Sequence, residues 1–500
     1  MILTLLGPIV LRGSSTRCKK LRGLAARAPP SKGGDNSPPF DRCMAFSHSA
    51  SMRYTANCRH IVLMNKTLSQ IDVTVVGGGL AGMAAAFHLA KGGLRVLCIE
   101  AESENRDAVG ESLDWSAPEL LAALGLPMSL LLSEEIATYK RHVILKLRSG
   151  AAEHYVPSDW LARPPFNVEL RTIHVDRTRL DAALRDITLA AGVAWLRDKV
   201  VRVERSERTV ASVVTEGGVE ISSRWFVDAA GSGTNLFPRL FDLPVYAFGP
   251  KKVAIWDYFP APEPLEGTTL NADCEGPFYM SWVWQIPIHP ETISVGYVAS
   301  GETVGEKRRQ GLSLQDIFRE QLGNIPELRQ LAQSSNAVSP HTTSFRCRAY
   351  GDTNGPNWLV IGESAAVVDP MTSNGVTAAL RHAEEAARII VRNRNRKQLP
   401  WLSRSLYSRR VLYMANFFNS GIEKVVYDWP IRNRIGPLTA GDVYTIPAWS
   451  INNIYSRIRP TGLISTTLFG MFLATLLFAM NLFYWFCARS RSAAPACATS

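Results

Sequence analysis

The sequence predicts an α/β protein: a Rossmann-like dinucleotide-binding domain with an inserted β-sheet domain, a basic helical C-terminal region and one transmembrane helix. Three observations carry this. A strand, a Gly-rich turn, a helix and a second strand follow one another from Ile71; further buried-type strands end in turns at Trp225–Asp228 and Trp358–Ile361; and Leu463–Phe486 runs twenty-four residues without a charge. With 500 residues, 46% hydrophobic and 20% charged, and with Gly and Pro near average, the chain is neither disordered, collagenous nor a coiled coil.

Residues 1–63 carry ten Lys and Arg against Asp35 and Asp41, are rich in Ser, Gly and Pro, and show no period of 2 or 3.6. That is the composition of a presequence, or of a stretch preceding a start at Met64, and it is expected to lie outside the fold. Residues 388–500 carry fifteen basic residues against Glu423, Asp428 and Asp442. The net charge of +11 therefore sits at the two ends, with an acidic body between them. A groove that grips nucleic acid needs its positive charge on the folded body, so nucleic acid is not expected as a partner. The eight cysteines are scattered without a C-x-x-C pair, which predicts no zinc site, no disulfide framework and a reducing compartment.

The main domain is expected over 64–390. Ile71–Val76 reads as a buried strand, Gly77-Gly-Gly79-Leu-Ala-Gly82 as a turn, Met83–Lys91 as a helix and Leu94–Ile99 as the next strand, with Glu100 at its end. In this setting G-x-G-x-x-G is a dinucleotide fingerprint. Gly77 permits the tight turn, Gly79 lets backbone N–H groups approach a pyrophosphate, Gly82 lets helix and strand pack closely, and Glu100 can accept hydrogen bonds from a ribose. Gly110-Glu111-Ser112 follows, then a helix from about Ala117 to Leu124. Far downstream, Gly362-Glu363 ends a strand, and Asp369-Pro370-Met-Thr-Ser373-Asn374-Gly375 leads into a helix running to Arg388.

In this order the segments resemble the FAD-dependent family that includes aromatic hydroxylases, geranylgeranyl reductases and flavin-dependent halogenases, over about Ile71–Arg388. Gly110-Glu-Ser, Val175-Asp-Arg177-Thr-Arg-Leu-Asp181 and Trp282-Val-Trp284-Gln-Ile286-Pro287 are most similar to the halogenases, whose signature is Trp-x-Trp-x-Ile-Pro. The resemblance implies a Rossmann-like FAD-binding domain of the aromatic-hydroxylase (GR2) type, with a substrate-side β-sheet mainly at about 113–165 and 250–345. It implies FAD as cofactor, held by Gly77, Gly79, Gly82, Glu100, Arg177, Gly362, Glu363, Pro370, Asn374 and Gly375. It also puts Trp282, Trp284 and Ser373 at the reacting centre. Read as a strand, Phe278–Ile288 places Trp282, Trp284 and Ile286 on one face; that stripe reads equally as sheet core. Arg177 and Asp181, four apart, read equally as a helix pair.

The chain departs from the tryptophan halogenases in two places. The helix after Gly-Glu-Ser, where their relay lysine is expected, has none between Leu113 and Leu132, and Glu119 stands close to its place; Thr372 replaces their glutamate. Lys140 and Lys146 could stand in for the relay lysine only if the fold brings them inward; they are expected on solvated strand faces.

Residues 391–460 form a basic helical region, in which Leu402–Phe418 interleaves arginines with aromatics. Leu463–Phe486, long enough to cross ~30 Å of hydrocarbon, is read as a transmembrane helix, and 487–500 as a short tail. The arginines of 388–460 predict a single-pass protein with its catalytic domain facing the cytoplasm, or an organellar membrane if 1–63 is a transit peptide. The function expected is a membrane-anchored, halogenase-like FAD oxidoreductase that uses reduced flavin and O2 on an apolar or aromatic small molecule. Electrons would come from a partner flavin reductase or from transient NAD(P)H. The alternative is a reductase or dehydrogenase of an isoprenoid or other lipid, similar to the geranylgeranyl reductases, which needs no lysine.

Overall fold

The computed structural model describes residues 71–101, 109–147, 152–155, 171–261, 266–275, 279–334, 340–428, 448, 451–452 and 454–490. The expectations for residues 1–63 and for the tail beyond 490 lie outside these.

A five-stranded parallel sheet forms the centre. Strands β1 (Val73–Val76) and β2 (Val96–Glu100) flank the first helix, α1 (Leu80–Lys91), as the apolar runs predict. Two short, fully buried strands continue the sheet beyond β1, Trp225–Asp228 and then Trp358–Val360, while Ala194–Arg197 pairs with β2 on the other side. Buried on both faces, such strands need no polar alternation. The sheet extends in opposite directions from β1, so a crevice opens at the carboxyl ends of β1 and Trp225–Asp228. This is the switch point where open α/β sheets bind ligands. Helix α2 (Arg177–Ala190), capped by the Asp176 carboxylate, and helix α3 (Gly375–Arg392) pack against α1.

The second sheet has eight strands. It runs from Ala366–Val367 through His341–Tyr350, Val245–Pro260, Thr292–Ser300, Tyr279–His289 and Gly267–Glu275 to His142–Leu147 and Ala152–Tyr155. Apart from Ala366–Val367, the sheet is thus built from His142–Leu147, Ala152–Tyr155 and strands within 245–350, whereas Ala117–Ala123 and Met128–Ser133 are helical and Ala137–Lys140 pairs separately with Thr172–Val175. In Tyr279–His289, Met280, Trp282, Trp284, Ile286 and Ile288 join one apolar cluster while Val283 joins another, so the expected alternation holds. Gly296 faces Trp284 across the strand pair, where a Cβ would strike the indole.

The C-terminal region packs back onto this body. Helices α4 (Trp401–Ile422) and α5 (Leu463–Ser490) lie together: Tyr413 fills the space that Gly470 leaves, and Arg410 Nη1 donates to Thr466 Oγ1 at 3.3 Å. One stripe of α5, Thr466, Phe469, Leu473, Met480 and Tyr484, is buried, and its apolar members share the cluster that holds Trp282 and Trp284. The apolar helix expected at Leu463–Phe486 thus forms, long and apolar enough to cross a membrane, but with one stripe packed on the catalytic domain.

Candidate active site

The nucleotide end is shaped by the glycines. Gly77 has φ +105°, and a Cβ there would strike the Ala229 carbonyl; a Cβ on Gly82 would strike the Gly77 carbonyl oxygen. Both are needed for the turn and the close helix. Gly79 differs, since its φ of −70° suits any residue and its Cβ direction is open space. An opening that only a missing side chain leaves, at the head of α1, fits a pyrophosphate. Glu100 is buried beside this turn and accepts from the Gly78 N–H.

The flavin end is assembled from three segments. Gly362 has φ +59°, and a Cβ there would also crowd Ala81; Glu363 beside it is exposed and accepts from Ser232 Oγ at 2.8 Å. Asp369 caps the turn at Pro370, accepting from Met371 N at 3.0 Å, and Thr372 Oγ1 donates to its carbonyl at 2.7 Å. Ser373 then adopts the left-handed conformation, φ +53°, and Asn374 precedes the first residue of α3, Gly375, which faces open space. These openings, together with the helix N-terminus, fit FAD. Arg177 forms the helix pair that its spacing allows, with Asp181 at 3.1 Å, and donates to Val109 O at 2.7 Å, bracing the loop before Gly110.

Between these segments stands Lys140. Far from lying on a solvated face, it is 1% exposed. Its Nζ donates to Ser112 Oγ at 2.8 Å and Leu113 O at 2.9 Å, reaches Ser373 Oγ at 3.5 Å, and sits 4.9 Å from the centre of the Trp115 ring. Burial lowers its pKa to about 7, against the pull of Asp114. The short strand Ala137–Lys140 turns it inward while Tyr139 points outward, the reverse of what the side-chain polarity suggests. Glu119 is exposed and takes no part, and Lys146 is solvated as expected, paired with Glu327 at 2.9 Å.

From Ser112 a buried chain of hydrogen bonds leads on. Ser112 Oγ lies 3.0 Å from Thr268 Oγ1, which lies 2.8 Å from His174 Nε2; His174 Nδ1 lies 3.4 Å from Thr138 Oγ1, which donates to Pro287 O. That last carbonyl can only accept, which orients the whole chain. Thr138 must accept from His174 Nδ1–H, His174 Nε2 from Thr268, and Thr268 from Ser112, leaving Ser112 to accept from Lys140 and from Ser373 at 3.1 Å. His174 stays neutral, since burial and then the neighbouring Lys140 and His142 hold its pKa well below the usual range.

A second cluster ties the flavin segment to the tryptophan strand. Lys252 Nζ, fully buried, pairs with Asp369 at 3.0 Å and with Glu423, and lies 3.9 Å from Cys347 Sγ and 4.4 Å from the centre of the Tyr427 ring. Cys347, Asp369 and Glu423 could group round a cation, and the Lys252 ammonium is the cation they hold. Trp282 Nε1 donates to Tyr427 Oη at 2.8 Å, which donates to Asp369 Oδ1 at 3.1 Å. Trp284 Nε1 donates to Ser294 Oγ at 3.0 Å, and Ser294 and Tyr258 bond to buried Glu111. Burial raises Glu111 to about 7, against those two hydrogen bonds. Both indole N–H groups are therefore engaged, and the two rings lie tilted at 48° with centroids 5.7 Å apart.

The family model for tryptophan halogenase matches residues 166–414, and that for an FAD-binding domain matches 72–155. The chain belongs to the flavin-dependent halogenase family of FAD oxidoreductases. The flavin-dependent halogenase armH5 of Armillaria mellea is 29% identical over 352 residues, 64% of each chain, and the tryptophan 2-halogenase of Chondromyces crocatus is 26% identical over 72% of this chain and 70% of its own. The match thus spans under two thirds of armH5. Among solved structures, a triple mutant of the flavin-dependent brominase Bmp2 aligns with TM-score 0.61 at 20% identity over 83% of this chain and 99% of that one. The halogenase CmlS aligns with TM-score 0.59 at 22% identity, over 76% of this chain and 67% of its own.

In this halogenase-family enzyme the local pattern points Lys140 outward and marks no role for His174, Thr268, Lys252, Glu423 or Tyr427. For Lys252 a signal existed: Gly249-Pro interrupts its strand, and there the register shifts and a glycine at φ +62° makes room for Glu423. For His174 and Thr268, single polar residues within short strands, none did.

Proposed function

We propose that this halogenase-family enzyme halogenates an electron-rich aromatic or other apolar small molecule, with Lys140 as the relay residue whose absence from the preceding helix stood against that reading. The observation that carries it is the burial of Lys140 against Ser112 of Gly-Glu-Ser and Ser373 of the flavin segment. The openings at Gly79 and Gly375 would hold FAD, which, once reduced by a partner flavin reductase or by transient NAD(P)H, would give two electrons to O2; two more taken from halide would leave hypohalous acid and water. Lys140 then holds hypohalous acid by its amine and presents it to the substrate. Ser112 and Ser373 fix the amine, and neutral His174, through Thr268, keeps Ser112 oriented to accept from it. Trp282 and Trp284, with both N–H groups engaged, present an apolar wall that keeps water from the reacting centre. The alternative of a lipid reductase rested on the missing lysine and on the membrane anchor, and the buried Lys140 speaks against the first of these.

The enzyme is further read as membrane-associated through α5, with the catalytic domain on the cytoplasmic side where FAD and reductant are available and with a substrate that partitions into lipid. The test supplies the FAD-loaded enzyme with a flavin reductase, NADH, O2 and chloride or bromide over a panel of apolar phenols and indoles, and examines products by mass spectrometry. A halogenated product that disappears in Lys140→Met, while NADH oxidation continues and hydrogen peroxide is released, is expected. No halogenated product, with flavin reoxidation indifferent to halide, would overturn the reading and return the lipid reductase.

A further inference from the structure

The C-terminal segment is stitched into the catalytic domain, not hung from it. Asn452 Nδ2 donates to Asp114 Oδ2 at 2.7 Å and to Asn374 Oδ1 at 2.8 Å, while its own Oδ1 accepts from Arg381 at 2.8 Å. Tyr455 and Arg410 both bond to buried Glu385, and Arg410 reaches Thr466 in the first turn of α5. From there the buried stripe Thr466, Phe469, Leu473, Met480 and Tyr484 repeats at intervals of three, four and seven residues over nearly the whole helix. The opposite side is exposed and almost wholly apolar: Ile464, Leu468, Met471, Phe478, Leu482 and Phe486.

With one stripe packed against the domain, α5 is not surrounded by lipid on all sides. If α5 crossed the bilayer, α4 beside it, with its exposed Arg409 and Asn416 and its buried Arg410–Glu385 pair, would be drawn into hydrocarbon as well. We infer that α5 lies in the plane of the membrane, its exposed stripe sunk in the acyl region of one leaflet and its buried stripe forming part of the wall around Trp282 and Trp284. This rests on the membrane association read above and replaces the single crossing with a one-leaflet docking. The 28-residue helix is ~42 Å long, and both approaches to it are basic: Arg457 and Arg459 are exposed before it, and Arg489 and Arg491 stand at and beyond its end in the sequence. Basic ends on an apolar stripe complement anionic headgroups over acyl chains. An apolar aromatic dissolved in that leaflet meets, on the far side of one helix, the cluster containing both tryptophans.

The test uses the full-length, FAD-loaded protein. First, flotation with phosphatidylcholine vesicles containing about one third phosphatidylserine is compared between the wild type and the double variant Leu468→Glu, Phe478→Glu, both on the exposed stripe. Second, a glycosylation tag is placed after Ser500 and the protein is inserted into microsomes. Expected are flotation of the wild type, at least a tenfold loss in the double variant with its flavin absorbance retained, and a tag that stays unglycosylated and open to protease together with the catalytic domain. Flotation with a glycosylated, protected tag would mean that α5 crosses the bilayer, overturning the in-plane docking while keeping membrane association. Absence of flotation would overturn both, and a wild-type dimer that the double variant dissociates would assign the stripe to a second copy of the chain.

Discussion

Lys140 is where one side chain matters most, and its pH behaviour follows from its burial. With its pKa lowered to about 7, the folded protein below that pH carries a buried ammonium, while the unfolded chain holds its lysine proton up to roughly pH 10. The penalty is therefore full below about pH 7 and fades as pH rises toward 10. Lys140→Met removes it. The difference in melting temperature, variant minus wild type, is expected to be more positive by several degrees at about pH 6 than at about pH 9; a difference flat with pH would contradict the burial of a titrating amine. Loss of the hydrogen bonds to Ser112 and Leu113 adds a constant offset and leaves the slope intact. Thr268→Val, nearly isosteric, strips Ser112 of its acceptor and His174 Nε2 of its donor. It should cost about 1–3 kcal/mol in chemical denaturation, because the polar groups left behind are buried.

At the scale of the first turn and helix, the glycines of one motif divide into two kinds. Gly82→Ala forces a methyl into the Gly77 carbonyl and should destabilise the fold by about 1–3 kcal/mol. Gly79→Ala meets open space, so unfolding should be unchanged while FAD affinity falls at least tenfold, read by flavin fluorescence on titration. Equal damage from both would mean that Gly79 shapes the turn and not a ligand cradle. The βαβ unit, the strand pattern of Trp282 and Trp284 and the helix after Gly375 were legible in the sequence because each is a local repeat of apolar residues with turn residues at its ends. The side chains that complete the site were not. Lys140 ends a four-residue strand and Lys252 follows a bulge, and at such places the direction of a side chain is set by the partner strand, not by alternation.

Over the whole molecule, the C-terminal region bears on stability. Deleting a tethered anchor ordinarily releases a soluble enzyme, whereas here Phe469, Leu473, Met480 and Tyr484 each bury roughly 1.5–3 kcal/mol of apolar surface against the domain. Their sum is comparable to the net stability of an ordinary domain. Removal of residues 463–500 is thus expected to yield aggregated protein that retains little FAD; a soluble, flavin-loaded truncation would show that α5 adds nothing to the fold. The sequence by itself determined the cofactor domain, its fingerprint, the tryptophan strand and an apolar C-terminal helix, since these are written in short-range periodicity and motif spacing. Only the tertiary structure decided that Lys140 faces inward, that Lys252 binds Asp369 and Glu423, and that the last helix lies on the domain with one side bare. Each of these depends on residues brought together from distant parts of the chain, and no local pattern carries the position of a partner more than a hundred residues away.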